Sequence, residues 1–201
     1  MYYAVYKGVR DCAWQCFLDF KIYTLPVDVL KIARAANIKV VENSIVGELD
    51  PTEKGKTYFD GVNWVIIYDD RQDVMSSRFT VAHELGHIFL GHALTHTKYE
   101  NVREFGKKPR TEQQADMFAI RLLCPACVLH KIKVGSAEEL SEICRIPLRY
   151  AETRYDRLVE LNKRNRFLES EIEKKVFDGL KPYILSQLRQ RELYENLKPT
   201  M

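Results

Sequence analysis

The sequence predicts an α+β chain that is mostly helical, with a small β-sheet near its middle and a helical extension at its C-terminus. Three observations predict it. Apolar residues recur at helical spacing over residues 2 to about 20, 26–37, 77–90, 112–123 and 137–163. β-branched and apolar runs cluster instead between Ile38 and Tyr68. The charged segment after Arg166 keeps an apolar stripe of Phe167, Ile172, Val176 and Leu180.

In the first helix Val5, Val9, Ala13, Cys16, Phe17 and Phe20 share a face. Pro26 is expected to open the second, PVDVLKIARAAN, because a proline's missing N–H would have no partner at a helix start anyway. Val27, Leu30, Ile32 and Ala35 form its expected buried side. IKVVE, residues 38–42, reads as a strand, and TYFDGVNWVIIYDD as a hairpin turning at Asp60-Gly61, since a two-residue turn needs positive φ. Trp64 to Tyr68 is nearly all apolar. That strand is expected to be buried on both faces or to lie beside a ligand, where an extended peptide would add to it.

For the helix at about 77–90, Ser76 or Ser77 is the expected cap and Gly91 the expected stop. For the one at 112–123, Thr111 and Gln114 make a capping-box pattern. The polar, basic stretch from Thr95 to Arg110 between them is expected to be a loop. A further pair, about 137–144 and 148–163, flanks the turn Cys144-Arg145-Ile146-Pro147. The segment beyond Arg166, broken at Pro182, reads as an accessory element. The expected organisation is a core over residues 1–130, a helix–turn–helix-like pair over 131–165 packed on it, and a helical tail over 166–201.

Composition narrows the function. A length of 201 residues suits one sizeable domain, or one domain with an appendage, and 46% hydrophobic residues suit a real core. The 31 basic and 28 acidic residues nearly balance, which leaves no electrostatic footprint for nucleic acid or an acidic membrane. MYYAVYKGVRDCAWQCFLDF has no uninterrupted apolar run of the secretory kind, and no stretch reads as a membrane span. Five cysteines, an odd number, read as reduced thiols, and a cytoplasmic location is expected.

The chemistry concentrates in His83-Glu84-Leu85-Gly86-His87. On a helix the two histidines lie one turn apart on the same side, so both imidazoles can hold one cation. Glu84 is turned roughly 100° from His83, close enough to meet a water on that cation but angled away from ligation. Val81, Leu85, Ile88 and Phe89 lie opposite, giving an apolar back and a metal-binding front. Two helical histidines merely paired with carboxylates or solvent are the plainer alternative.

A catalytic zinc usually takes three protein ligands. His92 is near in sequence but, nine residues past His83, points about 180° away on a continued helix. Positions three and six past His87 are Leu90 and Ala93, so a glycine–histidine continuation is absent. Cys124-Pro125-Ala126-Cys127 has paired spacing, yet only one such pair exists. Glu112 fits best. It falls in a first helical turn, where the helix dipole favours a charged carboxylate. Asp116, one turn on, shares its face and can accept the N–H of a ligating imidazole. An ordinary charged face over Ala115, Phe118, Ala119 and Leu122 is the plainer reading of that helix.

RFTVAHELGHIFLGH followed by EQQADMFAIRLLCP resembles the ImmA/IrrE family of metallopeptidases, and LPVDVLKIARAANIKV is similar to the helix and strand that precede the motif there. The resemblance spans roughly residues 20–160. It implies a zincin-like core and a cytosolic zinc endopeptidase, often acting on a helix-turn-helix repressor in mobile-element or stress regulation. Carried over, it implies that His83, His87 and Glu112 bind Zn2+, Glu84 is the general base and Asp116 supports a ligand. Cys124 stands where the family often has methionine.

Tyr99, His96 and Tyr58 are candidates for stabilising the oxyanion. Two other functions compete. A DNA-binding regulator would use residues 136–163, but Glu152, Asp156 and Glu160 would repel phosphates there. A non-catalytic metal-bound regulator is the other, and the intact Glu84 argues against it.

Overall fold

A computed structural model describes residues 3–92 and 109–197. The element order is α1 (Tyr3–Asp19), α2 (Val29–Ala35), β1 (Lys39–Glu42), α3 (Asn43–Val46), β2 (Gly55–Phe59), β3 (Trp64–Tyr68), α4 (Val74–Phe89) and α5 (Arg110–Leu123), then α6 (Ala126–Lys131), α7 (Ala137–Cys144), α8 (Leu148–Lys163), α9 (Glu171–Gly179) and α10 (Lys181–Leu197). The class is as expected: mostly helical, with one small mixed sheet.

Local chemistry moves several boundaries. Pro26 does not open α2. Asp28 does, its carboxylate accepting from the Lys31 N–H, so the helix starts at Val29 and buries Val29, Ile32 and Ala33. Leu30 is consequently exposed, and Val27 is buried ahead of the helix. α4 is capped by Asp73, which accepts from Ser76 N at 3.0 Å, and not by Ser76 or Ser77. The capping box at Thr111 and Gln114 does not form, because α5 starts directly after Pro109 with no side-chain cap. On α1, Val9, Ala13, Cys16 and Phe17 are buried, while Val5 at the outer end is exposed.

The sheet runs β1-β3-β2, with β1 parallel and β2 antiparallel to β3. β3 is therefore central and buries Val65, Ile66 and Ile67. The hairpin turn is centred one residue later than expected. Asp60 N donates to Asn63 O, and Asp60 Oδ1 accepts from the Val62 and Asn63 amides, leaving Gly61 at φ 99° as the first central residue.

One cluster of buried side chains joins helices from both ends of the chain: Trp14 and Phe17 from α1, Leu85 from α4, Phe118 and Leu122 from α5, Leu140 from α7, Leu158 from α8, and Val176 and Ile184 from α9 and α10. Each fully buried side chain of this kind contributes about 1.5–3 kcal/mol. The apolar stripe read beyond Arg166 thus faces the common core. Pro182 sits in the first turn of α10, where it breaks nothing. Among the described residues no helix is long and apolar enough to cross a membrane.

Two glycines let the elements that matter approach closely. At Gly86 a Cβ would lie 3.0 Å from Phe118 Cδ1 and 3.2 Å from Ala115 Cα, so the glycine sets the α4–α5 separation. At Gly55 a Cβ would lie 2.5 Å from Thr80 Cγ2 and 2.9 Å from Glu84 Oε1, which is what lets β2 pass over α4.

Candidate metal centre

α4 presents His83 and His87 one turn apart, with their Nε2 atoms 3.1 Å from each other. Because Gly86 allows α5 to press against α4, Glu112 reaches across: its Oε2 is 3.3 Å from His83 Nε2 and its Oε1 3.1 Å from His87 Nε2. Candidate ligand atoms of the three residues all lie within 4.8 Å of one another. Two imidazole lone pairs and a carboxylate cannot share that space unless a proton or a cation lies among them. Three such donors also match what a catalytic metal takes from protein.

The back sides of the imidazoles are fixed. His83 Nδ1 lies 2.9 Å from Asp116 Oδ1, and because a carboxylate only accepts, the proton is on Nδ1 and Nε2 is left as donor to the centre. His87 is held by a relay absent from the sequence reading. His92 Nε2 donates to Gln114 Oε1 at 2.7 Å, which leaves His92 Nδ1 to accept from His87 Nδ1 at 3.3 Å. His92 does not point away. The helix ends at Phe89 and Gly91 takes φ 74°, so the chain turns back and the helical projection no longer applies.

Electrostatics follow from these contacts. Burial opposes a charge on His83, but hydrogen bonds to Asp116 and Glu112 outweigh it and raise its pKa to about 9. The same bonds, from His83 first and then His87, hold the Glu112 carboxyl well below the usual carboxylate range. Glu84 is 7% exposed. Burial pushes its carboxyl up, against the pull of His83 and of the Thr57 hydroxyl, which donates to Oε2 at 2.6 Å. A carboxyl raised in this way suits proton transfer near neutral pH.

Clefts open on both sides of Glu84. One of about 510 Å3 runs under β2 and includes Tyr58, His83, His87 and Glu112; one of about 270 Å3 extends toward Arg149 and Tyr150 on α8. Of the candidate oxyanion donors, Tyr58 lines the first cleft, whereas His96 and Tyr99 lie outside the described residues. The expectation that a peptide adds to Trp64–Tyr68 fails, because β3 already has partners on both edges. β2 is the edge strand beside the cleft. Cys124 and Cys127 are buried in the common core, outside the histidine cluster. Arg154 of α8 is only 2% exposed and donates to the Cys124 carbonyl, so it is not available to a nucleic acid.

The family model of the IrrE N-terminal-like domain, peptidase M78, matches residues 33–153. That is more than half of the chain, and it contains the whole His–His–Glu cluster. The chain belongs to this family. No curated protein matches it. As an M78 peptidase with a His–His–Glu group, it is a metallopeptidase. The match runs from α2 into α8 and leaves out α1, α9 and α10. Thr57, Gln114 and His92 are the site residues that sequence reasoning missed, and only His92 gave a signal, by its nearness to the motif.

Proposed function

We propose that the chain is a zinc-dependent endopeptidase cleaving a cytosolic protein, a helix-turn-helix repressor of a mobile element or stress response. His83, His87 and Glu112 hold the zinc, Glu84 is the general base, and Asp116 and His92 orient the two imidazoles. The observation that carries this reading is the convergence of three ligand atoms within 4.8 Å beside a buried carboxyl. When bound, the zinc supplies a Lewis acid that acidifies water and polarises a carbonyl.

The chain's own residues do the rest. Thr57 occupies Glu84 Oε2, which leaves Oε1 to take a proton from the attacking water and give it to the leaving amine. Asp116 and the His92–Gln114 relay keep Nε2 of both imidazoles unprotonated toward the ion. β2, whose outer edge has no strand partner among the described residues, accepts the substrate in extended form, and Tyr58 on it faces the same cleft.

The test is Glu84→Gln. Zinc content and melting temperature should hardly change. Cleavage of repressors encoded near this gene, read by electrophoresis, should fall roughly a hundredfold or more. The variant should still capture its target. Unchanged cleavage would remove Glu84 from the mechanism. Binding of a repressor by the wild type without any cleavage would favour the non-catalytic regulator.

A further inference from the structure

At the C-terminal end of α5 lies a second polar cavity, of about 100 Å3, walled by α1, α8 and the segment leading into α9. Five arginines line it (Arg10, Arg121, Arg157, Arg164 and Arg166) against two carboxylates, Glu169 and Glu173. Glu173 is buried, which pushes its carboxyl up toward the neutral form. With the Asp11 and Glu160 partners of Arg10 and Arg164 also counted, the five arginines outnumber the carboxylates by one.

The cations are unevenly matched. Arg10, Arg164 and Arg166 each have an ion pair, with Asp11, Glu160 and Glu169. Arg121 and Arg157 share a single phenol, that of Tyr6, and neither forms a close ion pair with a carboxylate among the described residues. Burial would push the Tyr6 phenol up, yet Arg121, Arg157 and Arg154 together pull it below its ordinary value. Three guanidinium groups thus act on this one phenol.

Two donors in the wall have no acceptor: Trp14 Nε1 and Arg121 Nε. Their side chains are 3% and 6% exposed, so bulk water does not satisfy them. A buried N–H without a partner is costly, and it persists where something else supplies the acceptor.

We propose that this cavity binds a phosphate group, either free or as a small phosphate ester. A tetrahedral oxyanion offers acceptors in several directions at once, toward the Trp14 indole, the Arg121 Nε–H and the Arg157 fork. Arginine forks suit that geometry better than a point charge does. Arg157 on α8 and Arg164 at its C-terminal cap are seven residues apart, hence on nearly the same side of the helix. A duplex backbone is the wrong shape, because the unpaired donors are buried and Glu169 and Glu173 line the cavity beside them. The site lies at the far end of α5 from Glu112, so it is independent of the proposed metal chemistry.

The experiment is titration calorimetry on the metal-loaded, full-length protein with orthophosphate, adenosine monophosphate and a short DNA duplex, at matched ionic strength. Trp14 fluorescence is followed in parallel. The two small ligands should bind and perturb the fluorescence. Arg157→Gln/Arg164→Gln, both exposed and distant from the metal centre, should lower their affinity by about tenfold or more. Binding of both probes assigns recognition to the phosphate group itself; binding of the nucleotide alone assigns it to an ester. No heat with either probe up to about 10 mM would overturn the proposal. So would binding that the double variant leaves intact, or binding of the duplex alone.

Discussion

The two ends of α5 invite comparison. At its N-terminal end Glu112 and Asp116 meet two imidazoles of α4, and the charges are complementary: the carboxyl of Glu112 is driven down and His83 is driven up. At its C-terminal end Arg121 is buried among other arginines and a tyrosine, with too little negative charge to balance them. One end has the anions and imidazoles that a cation needs. The other has the cations that an anion needs. A single helix of 14 residues thus carries both, with an apolar middle of Ala115, Phe118, Ala119 and Leu122 in the core.

The sharpest way to break this comparison is to remove one end. Glu112→Ala takes away the proposed third ligand, and the protein should be purified without its metal, as read by mass-spectrometric metal analysis. His92→Ala acts only through the orientation of His87. It should keep the metal at saturation but bind it on the order of 10–100-fold more weakly, the range for lost outer partners. If His92→Ala empties the site and Glu112→Ala does not, the ligand assignment is wrong.

A smaller effect should follow from Gly86→Ala. The new methyl would meet Phe118 and the Ala115 backbone at 3.0–3.2 Å, and backbone cannot step aside as a flexible side chain can. Overpacking of this kind costs about 1–3 kcal/mol. Because the methyl pushes α5 away from α4, metal affinity should fall along with the melting temperature. A loss of stability with unchanged metal affinity would show that the α4–α5 spacing does not set the site.

How much of this was legible in the sequence depends on how local each feature is. His83, Glu84 and His87 lie on one helix, so their geometry follows from helical periodicity. Glu112 and Asp116 could be placed on a shared face, but only the α4–α5 contact at Gly86 brings that face to the histidines. Thr57 was invisible because its approach to Glu84 depends on the passage of β2 over α4 at Gly55. His92 was misread because a helical projection was continued past Gly91, where the helix had ended. The burial of Val65, Ile66 and Ile67 is readable from the apolar run of β3, yet the strand's central position, which excludes strand addition, is a property of the whole sheet. The arginine cavity left no sequence signal at all. Its five arginines fall in four separate stretches of chain, and Arg157, on α8, reads as part of an ordinary charged face.

The smallest expected effect concerns pH, and it distinguishes the metal-free site from the loaded one. In the metal-free protein His83 has its pKa raised to about 9 by Asp116 and Glu112, against burial. A raised histidine contributes stability that is fully present below its unfolded value of about 6.5 and is lost as pH rises through about 9. Glu112 is depressed, so its contribution is present above about 4.5 and is lost as pH falls. Metal-free protein should therefore be most stable between about pH 4.5 and 6.5, and its melting temperature should fall by roughly a few degrees by pH 9. A cation in the same space replaces the proton on His83, and binding releases that proton. Metal affinity should accordingly rise with pH, up to about tenfold per unit, until pH 9. Loaded protein should then gain or hold stability over the interval in which metal-free protein loses it. Parallel melting curves at pH 6 and pH 9, with and without a chelator, measure the crossing. If both forms lose stability together, the shared space among His83, His87 and Glu112 is filled by neither the proton nor the metal.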